Sequence, residues 1–292
     1  MHLDIKAMNE KSDFLGIKSR YTYYNYRIKE YFRQRKASKT LKEVLSDSSK
    51  HELRVLGLCR SGNHAIVNWI IAQCPGRVLF YNDLSVGVPF QKHPINLIKE
   101  AQNSESEIRW FIHSYEDVYI KESLGNKALR EKLDSSVGKS AARHQILILR
   151  NPWNLIASRL VWKLKKGAEF RENLEHRKRV VGIWKEHAKE YLNDTCELKN
   201  KVVISFDHWC SDSAYRQGIA TSLGIPFTDK GFDSVASEGG GSSFNGLTSN
   251  TKERQVAVLQ RWKSVEDDPI FKSLTRDQEL VELSERIYGR VF

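Results

Sequence analysis

Five residues between two apolar runs carry the clearest chemical signal in this sequence. Residues 60–64 read RSGNH and interrupt the apolar stretches 53–59 and 65–70. The first stretch has the density and length of a buried parallel strand, and the second suits a helix that packs on the sheet. A tight turn that leads into a helix presents free backbone N–H groups and the positive end of the helix dipole. An Arg at the mouth of such a turn favours phosphate or sulfate as the ligand.

The loop alone does not identify its ligand. It lacks the GxxxxGK[ST] pattern of nucleoside triphosphate sites and the GxGxxG pattern of dinucleotide folds. It is equally compatible with an ordinary strand-to-helix turn that exposes Arg60.

A second group of polar residues begins at the end of a later, mostly apolar run, 145–150. This run ends in Arg150, and Pro152 suits the first turn of a following helix because its missing N–H needs no partner there. Ser158 lies eight residues after Arg150, about two turns into that helix. A ligand that contacts both must therefore span the strand end and the helix flank, and a phosphate group does so.

Strands and helices alternate from residue 53 onward, which predicts an α/β fold with a parallel sheet and helices on both faces. Ligands in such sheets bind beyond the carboxyl ends of the strands. The predicted strands are 53–59, 77–82, 108–113, 145–150 and 202–206. The predicted helices are 63–73, 122–133, 152–165, 171–192, 211–223, 251–263 and 276–289.

Taken together, the two polar groups resemble those of the sulfotransferases that use 3′-phosphoadenosine 5′-phosphosulfate (PAPS). The family loop (K/R)-S-G-T-T matches Arg60, Ser61 and Gly62, with Asn63 and His64 in place of the Thr pair. The family element R-x-P, with a Ser eight residues after its Arg, matches Arg150, Pro152 and Ser158. The resemblance covers roughly residues 53–265.

The resemblance implies a P-loop-like nucleotide-binding core, PAPS as the donor, 3′-phosphoadenosine 5′-phosphate (PAP) as the product, and no metal. It places the phosphosulfate on residues 60–65, where Asn63 and His64 still offer hydrogen bonds to phosphate oxygens. It places the 3′-phosphate on Arg150 and Ser158. Many relatives carry an adenine-stacking Trp where this chain has Ala65, so the stacking residue must lie elsewhere.

By the same resemblance, His113 is the catalytic base, because many relatives carry a His at the end of this strand. A His takes up a proton near neutral pH. Other branches of the family use a carboxylate, which makes Glu116 the second candidate. A His113 held by a backbone partner at a strand end is the alternative without catalysis.

Further donor contacts are expected at two other places. Phe206 occupies the position of an aromatic that contacts adenine, although it suits a plain core position equally. Trp153 and Phe244 are the other options for stacking on adenine. The Gly-rich stretch 239–246 takes the place of the loop that closes over the nucleotide, and its expected donor contacts are Ser242, Ser243, Phe244 and the nearby Arg254.

Composition is compatible with an anionic ligand. The 292 residues carry a formal net charge of +11. The four cysteines form no CxxC pair and no metal-binding spacing, and no apolar run reaches the ~18 residues of a membrane span. The chain is therefore expected to be cytoplasmic. Residues 1–50 are predicted to be a basic, aromatic extension that packs on the domain or on a partner, and residues 51–292 to form the sulfotransferase domain.

The predicted activity is transfer of a sulfuryl group from PAPS to a hydroxyl or amine of a small-molecule acceptor. No nucleic acid or membrane partner is expected, and a homodimer stays open. The basic segment 162–189 either lines an acceptor pocket or forms a solvated helix face. Two other functions compete: a divergent ATP-using P-loop kinase, and a basic module without catalysis that binds nucleic acid or an acidic glycan.

Overall fold

A parallel sheet of five strands, in the order β2-β3-β1-β4-β5, forms the centre of the molecule. The computed structural model describes residue 45 and residues 48–86, 108–162, 165–232 and 258–289. The strands are β1 (His51–Gly57), β2 (Arg77–Tyr81), β3 (Ile108–Glu116), β4 (Ala142–Leu149) and β5 (Lys201–Ser205). The predicted fold class and all five predicted strands are confirmed.

Helices follow most strands, as the alternating pattern predicted. In the described part of the chain they are α1 (Asn63–Gln73), α2 (Lys127–Val137), α3 (Pro152–Leu160), α4 (Lys165–Glu172), α5 (Leu174–Tyr191), α6 (Phe206–Ser211), α7 (Ser213–Leu223), a 3₁₀ helix (Arg261–Val265), α8 (Pro269–Leu274) and α9 (Gln278–Tyr288).

Capping explains where several helices depart from the prediction. The α2 helix begins five residues later than predicted, because the Asn126 side chain accepts the Leu129 N–H and fixes the start there. The predicted helix 211–223 begins at Ser213, where Asp212 caps it. The predicted helix 152–165 ends at Leu160, and α4 starts separately at Lys165.

Alternating side chains of the strands supply both faces of the sheet. On β1, Val55 faces the cluster that α1 and α7 cover, and Leu56 faces the cluster that contains α2. On β4, Ile146 and Leu147 divide in the same way. Each fully buried aliphatic side chain contributes about 1.5–3 kcal/mol of transfer free energy, so both faces of these central strands stabilise the fold.

The β3 strand runs three residues beyond its predicted end at His113. Ser114, Tyr115 and Glu116 continue the pairing with β1, and Glu116 lies opposite Gly57. The strand continues because Tyr115 is fully buried and extends the apolar alternation. Glu116, and not His113, therefore ends the strand beside the loop that follows β1.

Residues at the amino-terminal boundary also pack on the domain. Leu45 is fully buried, and Lys50 Nζ donates to the carbonyls of Leu45 and Lys139 at 2.6 and 2.5 Å. The rest of the predicted extension before residue 48 lies outside the described residues. Across the part of the chain that the structure describes, no helix combines the length and apolar character needed to cross a bilayer.

Candidate functional site

The loop after β1 leaves the first turn of α1 without a capping side chain. Gly62 is the N-cap residue and has no side chain with which to cap this helix end. The first helical hydrogen bond runs from the Ile66 N–H to the Gly62 carbonyl at 3.1 Å, so the N–H groups of residues 63–65 have no acceptor within the helix. This terminus is suited to an anion. Side chains cap seven other helices: Asn126, Asn151, Asn173, Ser205, Asp212, Asp268 and Asp277.

Gly62 is required both for its backbone conformation and for its contact with Phe206. Its φ of 87° lies in the left-handed region that favours Gly. A Cβ at this position would lie 2.1 Å from Phe206 Cδ2. The Phe206 ring also contacts the Arg150 guanidinium, 4.9 Å away, and stacks on Trp209, so it is only 6% exposed. The ring thus supports the loop, and its predicted contact with adenine stays a prediction.

The two predicted anion elements meet in space. The Arg60 Nε donates to Ser158 Oγ at 3.1 Å. Arg150 Nη1 donates to the Arg60 carbonyl at 2.9 Å, and its Nη2 donates to the Val258 carbonyl at 2.8 Å. Arg261, on the 3₁₀ helix, donates from Nη1 to the same Ser158 hydroxyl at 3.3 Å. We call Arg60, Arg150, Arg261 and Ser158 the arginine cluster.

Burial and mutual repulsion disfavour the charges of this cluster. Burial lowers the pKa of Arg150, which is 2% exposed, although the nearby Asp207 acts in the opposite direction. Burial, followed by repulsion from Arg150 and Arg60, lowers the pKa of Arg261 to about 9. Burial also lowers the pKa of Arg60. A bound dianion would offset this cost, because charge-assisted hydrogen bonds to guanidinium groups are strong.

Sequence reasoning missed Arg261 and Trp162. Arg261 lies in the predicted helix 251–263, but its spacing from the two motifs carries no signal that it joins them. Trp162 covers Arg60, with the guanidinium carbon 5.3 Å from the ring centroid. Such a contact contributes about 0.5–1 kcal/mol at a partly exposed site, enough to favour one orientation of Arg60.

Three further loop residues differ in what their side chains do. Ser61 is fully buried, and among the described residues its hydroxyl has no hydrogen-bond partner. His64 is half-buried, and its Nε2 likewise has no partner in the described ranges. Ala65 is half-buried and packs against the apolar cluster beneath α1. Ser61 and His64 therefore keep hydrogen-bonding capacity beside the uncapped helix end.

The Asn63 side chain bonds to Leu58 and Glu116, whereas the sequence predicted that it would donate to phosphate oxygens. Its Nδ2 donates to the Leu58 carbonyl at 3.1 Å and to Glu116 Oε1 at 2.8 Å. An added Cβ on Gly57 would lie 2.2 Å from Asn63 Oδ1, so Gly57 leaves the space that this amide fills. The side chain of Asn63 thus holds the loop to Leu58 and Glu116, while its backbone N–H is one of the free donors at the helix terminus.

The loop is also tied to the end of β3 through Asp117. Asp117 Oδ1 accepts the Cys59 N–H at 3.0 Å, and the same oxygen accepts a hydrogen bond from the fully buried Arg159. Although burial favours the neutral acid, the charge of Arg159 and its hydrogen bonds lower the pKa of Asp117. The loop therefore has a rigid, ionised support.

His113 lies in a different environment from the loop. It is fully buried, and its Nε2 contacts Glu52 Oε1 at 3.1 Å. Glu52 also accepts hydrogen bonds from Arg54 at 2.7 Å and Arg143 at 2.6 Å. Burial lowers the pKa of His113, and the hydrogen bond with Glu52 opposes that effect. The three residues from His113 to Glu116 span about 10 Å of strand, so the structure does not bring His113 to the loop.

Several other predicted residues are placed apart or are not described. Trp153 is 3% exposed within the apolar cluster that includes α3 and α5. In segment 162–189, Lys185 and Lys189 form ion pairs with Glu279 at 2.9 and 2.6 Å, which is typical of a solvated helix face. The predicted donor contacts Ser242, Ser243, Phe244 and Arg254 lie outside the described residues.

Comparisons with known proteins find a likeness only among solved structures. No family model matches the chain, and no curated protein matches it. Among solved structures, the chain is similar to mouse sulfotransferase SULT7A1 complexed with PAP. The match has a TM-score of 0.41 and 14% sequence identity, and it covers 81% of this chain and 92% of the mouse chain.

Proposed function

We propose that this chain is a sulfotransferase that moves a sulfuryl group from PAPS to a hydroxyl or amine of a small-molecule acceptor. The single observation that carries the proposal is the arginine cluster, which joins the two predicted anion-binding elements beside an uncapped helix terminus. A donor with a phosphosulfate at one end and a phosphate at the other suits two adjoining anion sites. The proposed reaction uses no metal.

The donor is divided between the two elements. The N–H groups of residues 63–65 and the Arg60 guanidinium hold the phosphosulfate, with the Ser61 hydroxyl and His64 as further donors. Arg150, Arg261 and Ser158 hold the 3′-phosphate, and their interactions supply binding energy far from the reacting atoms.

The transfer proceeds in line. The acceptor oxygen or nitrogen attacks sulfur, the bond from sulfur to the bridging oxygen breaks, and PAP leaves with the electron pair of that bond. Arg60 and the helix N–H groups stabilise the negative charge that develops on the bridging oxygen. The acceptor's proton passes to a carboxylate oxygen of Glu116, which ends β3 beside the loop. The buried position of His113 favours Glu116 over His113 as this base.

The two competing functions predict different ligands. A P-loop kinase would bind ATP with Mg²⁺, but residues 60–64 contain no Lys-Ser or Lys-Thr pair to serve that metal. A binding module for nucleic acid or an acidic glycan would not need buried arginines around one hydroxyl, because such modules use exposed basic surfaces.

A thermal-shift comparison tests the proposal. PAP should raise the melting temperature strongly, since ligand binding to the native state stabilises it by mass action. ATP with Mg²⁺ and ADP should raise it little at the same concentration. Equal shifts with PAP and ADP, or no shift with PAP, would refute the proposed donor. Transfer is then measured with ³⁵S-labelled PAPS against a panel of phenols, alcohols, sugars and amines, with water as the reference acceptor.

A further inference from the structure

Both oxygens of the Glu116 carboxylate accept a hydrogen bond from the anion-binding loop. The Cys59 Sγ donates to Oε2 at 2.7 Å, and Asn63 Nδ2 donates to Oε1 at 2.8 Å. These two donors lie on either side of the tight turn that carries Arg60. The carboxylate is thus held by the same short segment that would hold the donor.

Each of these two donors is itself fixed in place. The Cys59 backbone N–H bonds to Asp117, and the Asn63 amide also bonds to the Leu58 carbonyl. Cys59 is 3% exposed and Asn63 is 5% exposed, so neither side chain has room to change rotamer freely.

The thiol keeps its proton at neutral pH. Burial, followed by the charges of Asp117 and Glu116, raises the pKa of the Cys59 thiol well above its usual range. Cys59 therefore stays a hydrogen-bond donor under ordinary conditions. A thiolate would instead repel the carboxylate that it contacts.

We propose that Cys59 and Asn63 are positioning residues that aim the Glu116 carboxylate at the acceptor's proton. This inference rests on the proposed function, in which Glu116 is the base. A carboxylate oxygen carries two lone pairs, so each oxygen that accepts one loop hydrogen bond keeps a second lone pair for the incoming proton. With both oxygens anchored, the direction of that lone pair is set relative to the bound donor.

The first test separates positioning from donor binding. Cys59→Ala removes the thiol donor and should lower kcat about tenfold while the PAP Kd changes less than about twofold. Cys59→Ser keeps a donor and should recover kcat to within about threefold of wild type. Cys74→Ala removes a half-buried thiol at the opposite end of α1, and it should leave kcat and the PAP Kd unchanged. Turnover is measured as PAP release from PAPS with the fastest acceptor of the panel.

The second test uses Glu116→Gln as a background. If Cys59 acts through the carboxylate, Cys59→Ala should cost no further activity in that background. Equal losses in both backgrounds, or a PAP Kd that rises in parallel with the loss of kcat, would show that Cys59 only braces the loop. Full turnover by Glu116→Gln would also overturn the inference, since there would be no base to position. Failure of the wild-type protein to bind PAP would instead refute the proposed function.

Discussion

Arg60 donates to the hydroxyl of Ser158 across 3.1 Å, although 98 residues separate them in the sequence. The bond joins the loop after β1 to the flank of α3, so the two predicted anion-binding elements are in contact. A ligand with a single anionic group would use only one of these elements. The relationship therefore favours a ligand with two anionic groups.

Replacing Arg150 should weaken donor binding more than folding. Arg150→Ala should raise the PAP Kd about 10- to 100-fold, since a hydrogen bond to a charged group contributes about 1.5–3 kcal/mol. The PAP Kd of Arg150→Lys should lie between those of the wild type and Arg150→Ala, because an ammonium group cannot make two parallel hydrogen bonds. Isothermal titration calorimetry measures the Kd. Arg171→Ala, which breaks a half-exposed ion pair with Asp268, serves as the control and should bind PAP normally.

PAP affinity should fall as the pH rises through about 9. The pKa of Arg261 is lowered to about 9 in the absence of ligand, so above that pH the free protein must take up a proton before it can hold the 3′-phosphate. The logarithm of the affinity should then decrease by up to about one unit per pH unit. Calorimetry between pH 7.5 and pH 10 measures the slope. An Arg261→Gln variant should bind PAP more weakly at pH 7.5 and should not show this loss of affinity as the pH rises. If the variant shows the same loss, another group is responsible for it.

Gly62→Ala should destabilise the protein and abolish PAP binding. The Ala residue would have to adopt the φ of 87° that Gly62 has, which is strained for a residue with a side chain. Its Cβ would also lie 2.1 Å from the Phe206 ring. Strain of this kind costs about 1–3 kcal/mol before the clash is counted. Gly224→Ala is a matched control, because Gly224 has a φ of 67° and nothing within 4 Å of the added carbon. Urea unfolding should show the larger loss for Gly62→Ala, and similar losses for both would contradict the Phe206 contact.

Separate substitutions of the two candidate bases, Glu116 and His113, should show which of them turnover requires. Glu116→Gln should lower kcat at least about 100-fold, as expected for loss of a general base. It should also lower the free energy of unfolding by about 1–3 kcal/mol, because the Gln amide cannot accept from both Cys59 and Asn63. His113→Gln should keep kcat within about threefold but lower the free energy of unfolding by about 1–3 kcal/mol, because it disturbs the buried hydrogen bonds of Glu52. The opposite pattern would restore His113 as the base.

Acid sensitivity gives an independent check on His113. Burial lowers the pKa of His113 below its ordinary value of 6.5, so below pH 6.5 the unfolded chain takes up a proton that the folded chain resists. Stability should therefore fall as the pH drops below 6.5, down to the folded-state pKa. The His113→Gln variant should lose this part of the pH dependence of the unfolding free energy, measured by urea unfolding. An unchanged dependence would mean that other groups control it.

The strands could be read from the sequence because their side chains are buried on both faces. Residues 146–149, for example, are apolar throughout, and such runs leave few alternatives in an α/β chain. Strand ends were harder. The pattern at 108–113 gave no sign that Tyr115 would be buried and carry β3 on to Glu116, since burial depends on what the opposite face packs against.

The sequence by itself determined the fold class, and it predicted an anion-binding loop at residues 60–64 and a second polar element at Arg150 and Ser158. Tertiary structure decided that these elements touch, that Arg261 joins them, and that Asn63 and Cys59 face Glu116. The physical reason is one of range. Strand and turn preferences depend on neighbouring residues, whereas the direction of a side chain across a strand end depends on segments about 50 to 100 residues away, and no local pattern encodes it.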